Sequence, residues 1–149
     1  GTVSKWSPKG RLVSHSVYIE GIPHFNIIWH DSGELRNVTA FRQGQEEWVI
    51  NWDRHGRRIS QPLHEKHEIH RELGRLGHRK VEADFIGEKK HGVELQWHVN
   101  GKISIIRLYV RNRIVYERIT NDKGEFELET ISVKGQLLWS RKNTPKIPS

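Results

Sequence analysis

The strings WSPKG (residues 6–10), WHDSG (29–33), WDRHG (52–56) and WHVNG (97–101) decide how this chain folds. Trp6, Trp29 and Trp52 stand 23 residues apart, and each precedes a glycine by four positions. One period beyond Gly101 comes TNDKG (120–124). Other positions keep the same phase. Two residues after the glycine come Leu12, Leu35, Ile103 and Phe126. Eight after it come Tyr18, Phe41 and Tyr109, with Ser132 departing in the last unit. Eleven after it come Gly21, Gly44, Asn112 and Gly135, and fifteen after it Phe25, Trp48, Tyr116 and Trp139. Agreement at so many offsets marks an internal repeat.

Each period contains two turn signals. Polar residues followed by glycine suit a tight turn whose last residue needs positive φ. The second signal is a glycine, or Asn112, which tolerates the left-handed region. The stretches between are about eight to eleven residues, a strand length. One period therefore reads as a β-hairpin and the chain as an antiparallel meander. Phe25, Ile27 and Trp29 alternate, as do Trp48, Ile50 and Trp52, which puts each trio on one strand face. Stacked hairpins would align the aromatics of successive units into ladders, and each unit would depend on its neighbours for stability.

The expected fold is all-β: tandem hairpin repeats in an elongated antiparallel meander sheet. The repeat domain covers residues 1–142, with units near 6–28, 29–51, 52–72 (degenerate), 73–96, 97–119 and 120–142. Residues 143–149 form a frayed tail. The segment QPLHEKHEIHRELGRLG (61–77) breaks the pattern, with Leu63, Ile69, Leu73 and Leu76 at mixed spacing. Residues 60–76 are expected to be a short helix or a long loop.

Composition narrows the function classes. The 149 residues carry 25 Lys plus Arg against 18 Asp plus Glu, a net charge of +7. The excess is uneven: residues 97–149 hold ten basic against five acidic side chains, whereas residues 1–56 balance at six each. Cysteine is absent, which excludes disulfides and Cys-based zinc sites and fits a reducing, cytoplasmic setting. No apolar run approaches the length of a membrane-spanning helix, which needs roughly 18 residues.

The segment FIGEKKHGVELQWHVNGKI (85–103) is similar to the MORN-like repeat variant of YwqK-type bacterial antitoxins and many large-virus proteins. Gly92, Trp97, Asn100, Gly101 and Lys102 fit that pattern, with one residue more before the second glycine. In the other units Phe25, Trp48, Tyr116 and Trp139 replace that glycine. The resemblance implies stacked hairpins in an extended sheet and a role in contacts rather than catalysis.

Reactive constellations are sparse. His64, His67 and His70 are three apart, a spacing that could bind metal on a helix, but no His-Glu-x-x-His occurs. The larger expectation is a solvated polar segment, with no metal and no cofactor. No nucleophile elbow, phosphate loop or dinucleotide fingerprint is present, so no catalytic residue is assigned. The basic cluster is the candidate binding site: Lys102, Arg107, Arg111, Arg113 and Arg118 fall in one repeat. Arg107, Tyr109 and Arg111 alternate and would share a strand face, an arrangement suited to phosphate and base contacts. Against this, Tyr109 holds the packing position of Tyr18 and Phe41, and surface arginine keeps exposed sheets soluble. The expected function is a non-catalytic scaffold for protein–protein contact, antitoxin-like or viral in the family's terms. The alternative is a basic module for nucleic acid or anionic membrane surfaces. Open sheet ends also suit a homo-oligomer.

Overall fold

A computed structural model describes residues 1–143. β1 (Thr2–Trp6), β2 (Leu12–Ile19), β3 (Ile22–Trp29), β4 (Leu35–Arg42) and β5 (Gln45–Asn51) form one antiparallel sheet in chain order. β6 (His67–Leu73), β7 (Arg79–Ile86), β8 (Lys89–Trp97), β9 (Ile103–Val110), β10 (Arg113–Thr120), β11 (Phe126–Val133) and β12 (Gln136–Lys142) form a second. The all-β hairpin meander read from the repeat is thus the observed architecture. It is divided into two compact units, Gly1–Glu65 and Lys66–Ser149. Among the described residues no helix is long and apolar enough to cross a membrane. The tail expected over residues 143–149 lies, beyond its first residue, outside the described residues.

The turns follow the repeat bond for bond. The residue three before each repeat glycine donates its N–H to the carbonyl of the residue just after that glycine. Ser7, His30, Asp53, His98 and Asn121 do so at 2.7–2.8 Å. Gly74 does the same to His78 at 2.8 Å, so Gly74–Gly77 is a sixth copy of the turn, tightened into one 3₁₀ turn at Arg75–Gly77. The second turns are two-residue hairpin loops: Glu20–Gly21, Gln43–Gly44, Arg111–Asn112 and Lys134–Gly135 have positive φ at both positions, whereas Gly87–Glu88 has it at Gly87 alone. That is the backbone whose twist matches the flanking strands.

Register shifts recur at two fixed offsets. Lys5 pairs with Ser14 but Trp6 with Leu12, and Gln96 pairs with Ile105 but Trp97 with Ile103. Val17 pairs with Phe25 but Tyr18 with Pro23, and Ile131 pairs with Trp139 but Ser132 with Leu137. These are β-bulges, which add one residue to one strand and increase local twist. Plain period-two alternation hides them, because each bulge resets which residues share a face.

The break between the sheets has a local cause. After the Gly56 turn only Arg58 makes a bridge, back to Trp52. Pro62 stands six residues after Gly56, where Ser16, Thr39, Arg107 and Thr130 lie inside strands of the other units. Proline has no N–H for a ladder and is excluded from strand interiors. The first strand of the degenerate unit is therefore missing. The expected helix or loop over residues 60–76 is corrected in its second half: His67–Leu73 is strand β6, paired with β7 from His67↔Ile86 to Leu73↔Arg79. Half-buried His67 and Ile69 alternate there with exposed Glu68 and His70, a period of two rather than 3.6.

In the five-stranded sheet one face carries the core: Val17, Phe25, Ile27, Leu35, Val38, Ala40, Trp48, Ile50 and Trp52 are buried there. The opposite face is a polar ladder. Ser16 Oγ donates to Asn26 Oδ1 at 2.6 Å, Asn37 Nδ2 to Asn51 Oδ1 at 2.8 Å, and Thr39 Oγ1 to Asn37 Oδ1 at 3.0 Å. In the seven-stranded sheet Val93, Leu95, Ile106, Leu108, Tyr116 and Ile131 form the apolar row. Glu82, Asp84 and Glu129 are buried in that same row.

Candidate functional site

The repeat places Arg107 and Arg118 on opposite faces of the seven-stranded sheet. Cross-strand register decides this: Glu94, Arg107 and Glu117 face one another across β8, β9 and β10, whereas Ile106, Arg118 and Glu129 align across β9, β10 and β11. Both arginines are engaged by internal carboxylates. Arg107 Nε donates to Glu117 at 2.5 Å, and its NH1 reaches Glu94 at 3.4 Å. Glu94 also accepts from the Tyr109 hydroxyl at 3.0 Å, Lys90 Nζ at 3.1 Å and Gln96 Nε2 at 3.1 Å. Burial opposes the charge on Glu94. The hydrogen bonds from Lys90, Gln96 and Tyr109 outweigh it and hold the carboxyl below its ordinary range. Burial, together with the Glu94 charge, pushes the Tyr109 hydroxyl far up.

Arg118 belongs to a second network. Glu129 is fully buried, Arg118 NH1 bonds its Oε2 at 3.2 Å, and Arg141 NH2 lies 3.1 Å from Oε1. The Tyr116 hydroxyl also donates to Glu129, and burial raises that hydroxyl far above its usual titration range. Phe126 lies beneath both guanidinium groups, 5.6 Å from Arg118 and 4.2 Å from Arg141. Buried charges persist only when paired in this way.

The remaining three basic candidates lie at strand ends. Lys102 sits after the Gly101 turn, and its Nζ contacts the Lys123 carbonyl at 3.4 Å. Arg111 occupies the β9–β10 hairpin turn, where its N–H donates to His91 Nδ1 at 3.0 Å. Arg113 opens β10 and runs alongside Gly135 of the next hairpin turn. The expected Arg107–Tyr109–Arg111 face is therefore incomplete: Arg107 and Tyr109 meet on Glu94, and the turn carries Arg111 away. With exposed Lys89 and Lys134, Arg111 and Arg113 form a row of cations along the hairpin tips.

The histidines do not converge. On a strand His67 and His70 point to opposite faces. His67 Nε2 meets Asp84 Oδ1 at 2.7 Å, and Asp84 Oδ2 accepts the Val93 N–H at 2.9 Å. His70 stacks on Phe85 with ring centroids 4.3 Å apart and bonds Glu68 at 3.0 Å. Among the described residues no group of three or more His, Cys, Asp or Glu side chains could hold a metal. The tryptophans are mainly packing residues: Arg58 covers Trp52 at 4.9 Å and Arg79 covers Trp97 at 4.5 Å. Trp6 at the start of the five-stranded sheet is exposed.

Two edge strands are exposed along their whole length, β1 with Val3 and Trp6 and β12 with a larger apolar group. Every residue of β12 is exposed, and it presents Leu137 at 64%, Leu138 at 56% and Trp139 at 38%. β12 pairs with β11 on one side, and among the described residues nothing pairs with its other side. Sequence reading anticipated open sheet ends but not the apolar side chains on this one, and it missed both acidic hubs. The signal was present in the repeat offsets. Glu94 stands seventeen after Gly77, where Ile27 and Ile50 lie in other units, and Glu129 stands five after the repeat glycine, where Val38 and Ile106 lie. Arg118 and Arg141 stand seventeen after it, in place of Ile27 and Ile50.

No protein-family model matches the chain, and no curated protein matches it. Among solved structures, the crystal structure of TarM aligns over 86% of this chain and 21% of TarM, at 15% identity and a TM-score of 0.38. A mutant of S. aureus TarM, solved with fondaparinux, alpha-GlcNAc-glycerol and UDP, aligns over 95% of this chain and 21% of its own, at 13% identity and a TM-score of 0.31. The chain thus spans about a fifth of the proteins it aligns with. Likeness at this level carries no inference about activity.

Proposed function

We propose that this chain is a non-catalytic β-repeat scaffold whose work is to hold another protein. The observation that supports this reading is strand β12, which among the described residues is an unpaired sheet edge carrying Leu137, Leu138 and Trp139. Natural sheets protect such edges with Lys, Pro or covering segments, because bare edges pair with other chains. An aromatic and two leucines at this place fit a surface that is covered in use. The compartment that goes with this reading is the cytoplasm, in keeping with the absence of cysteine. Occlusion of a toxin, as the resemblance to YwqK-type repeats implies, is one form of the same contact.

The test is to immobilise the wild-type chain and a Leu137→Lys/Trp139→Lys variant and expose both to extract from the native source at moderate salt. A discrete protein retained in near-equal amount by the wild type and lost from the variant is the expected result. Retention by neither, or by both equally, overturns the reading.

A second reading has one observation in its favour. Lys89, Arg111, Arg113 and Lys134 line the hairpin tips of the seven-stranded sheet, a row suited to a polyanion. It is weakened by the loss of Arg107 and Arg118 to internal carboxylates.

A further inference from the structure

We propose that Ser60 is a phosphorylation site for an arginine-directed serine kinase. The sequence around it reads RRISQP (57–62), with Arg57 and Arg58 three and two residues before the serine and no acidic residue from Arg54 to His64. Kinases that select such substrates do so by charge pattern, meeting the arginines with carboxylates of their own. The inference is independent of the scaffold reading and of strand β12.

The repeat shows why this position is open to an enzyme. Ser60 stands four residues after Gly56. Its counterparts Ser14, Asn37, Ile105 and Leu128 lie inside β2, β4, β9 and β11. No strand forms between Asn51 and His67. A residue outside a ladder can be drawn into an active site, whereas one inside it is released only by opening the sheet. Two departures from the repeat meet here. Pro62 removes the strand, and Arg58 replaces the apolar residue that Leu12, Leu35, Ile103 and Phe126 supply two after the glycine. The first exposes the serine and the second completes the arginine pair. Residues 58–60 lie against the end of β5 through the Trp52–Arg58 bridge, the Ile59 N–H to the Asn51 carbonyl at 3.0 Å, and the Asn51 N–H to Ser60 Oγ at 3.1 Å. Around the half-buried serine, Arg54, Arg57, Ile59, Gln61 and Pro62 are exposed, and the Arg57 side chain is 75% exposed.

The step is a phosphoryl transfer. Ser60 Oγ attacks the terminal phosphorus of a nucleoside triphosphate, its proton passes to a carboxylate of the kinase, and the nucleoside diphosphate leaves. The product carries a charge of about −1.5 to −2 beside Arg57 and Arg58, whose guanidinium groups suit a phosphate. Ser60 Oγ is also the acceptor of the Asn51 N–H, so the modification reaches the last residue of β5 directly.

The test incubates the whole folded chain with ATP and the catalytic subunit of cyclic-AMP-dependent protein kinase, and reads intact and fragment masses. One phosphate, at Ser60, is expected, and Ser60→Ala abolishes it. Arg57→Ala, which removes an exposed guanidinium, lowers kcat/KM at least about tenfold. A peptide of residues 54–64 measures access: it and the folded chain should be modified with kcat/KM values within about tenfold of each other. Phosphate that appears on the peptide but not on the folded chain overturns the proposal, because the fold then hides the serine. Modification that persists in Ser60→Ala, or that is indifferent to Arg57→Ala, overturns it as well. Chain recovered from the native source with phosphatase inhibitors should carry the same phosphate on at least a fraction of molecules, and its absence there across growth conditions overturns the site as a physiological one.

Discussion

Removing Glu129 tests whether the arginines of the basic repeat serve the fold or a ligand. Its carboxylate is fully buried and binds Arg118 NH1 at 3.2 Å, with Arg141 at 3.1 Å and the Tyr116 hydroxyl beside it. At that separation and an effective dielectric constant near 20, the Arg118 pair attracts by about 5 kcal/mol before desolvation is charged against it. Desolvation consumes several kcal/mol, so the intact network is close to neutral relative to an apolar replacement. Breaking it is different. Glu129→Leu strands the Arg118 guanidinium, which is only 11% exposed, and removes the Glu129 acceptor of the Tyr116 hydroxyl. The expected loss is about 3–5 kcal/mol. The triple substitution Tyr116→Phe/Arg118→Met/Glu129→Leu removes every member that would be stranded, while the more exposed Arg141 can hydrate. It should lie within about 1–2 kcal/mol of the wild type. Urea unfolding followed by tryptophan fluorescence measures both. A Glu129→Leu loss below about 1 kcal/mol, or a triple variant as unstable as the single one, would refute the assignment.

Three further outcomes follow from the same structure. Gly92→Ala should cost about 3–5 kcal/mol, because a Cβ there falls 2.8 Å from Asp84 Cβ and Oδ2 at a φ of 123°. Gly101→Ala, with open space around it and a φ of 87°, should cost only about 1–2 kcal/mol, and equal losses would count against the packing argument. Glu94 has a folded pKa below its ordinary 4.5, so its contribution to stability is present above that pH and fades as pH falls through the folded value. The stability gap between wild type and Glu94→Gln should therefore be flat above about pH 5.5 and narrow in acid, read from urea midpoints. Labelled mixed-sequence DNA titrated at about 50 and 200 mM salt should show only weak, salt-suppressed binding, further reduced by Arg111→Glu/Arg113→Glu. Tight binding at the lower salt that collapses at the higher would instead favour the polyanion reading.

The repeat made the hairpins, both turn types and the Phe25–Trp48–Tyr116 core row legible, because each rests on local chemistry recurring at fixed offsets. The Gly77 unit was legible for the same reason. Strand β6 was hidden because HEIHREL mixes His, Glu and Arg with few apolar residues, and its alternation emerges only against β7. The break at Pro62 is interpretable from one residue, given what the other units place at that offset. The carboxylate partners within the basic cluster were hidden because cross-strand partners are set by register. Glu94 and Glu117 come opposite Arg107 only once β8, β9 and β10 are aligned, and bulges hide that alignment from simple counting. The buried acids signalled themselves by standing where other units place apolar residues, and the open edge at β12 is a property of sheet order rather than of any motif.

The central claim is that β12 is the contact surface. A photo-cross-linking residue at position 138, with a control at position 3 in β1, measures this directly in the native source. The account predicts one protein captured in near-stoichiometric amount at position 138 and not at position 3. Capture at position 3 alone, or equally at both, would contradict it.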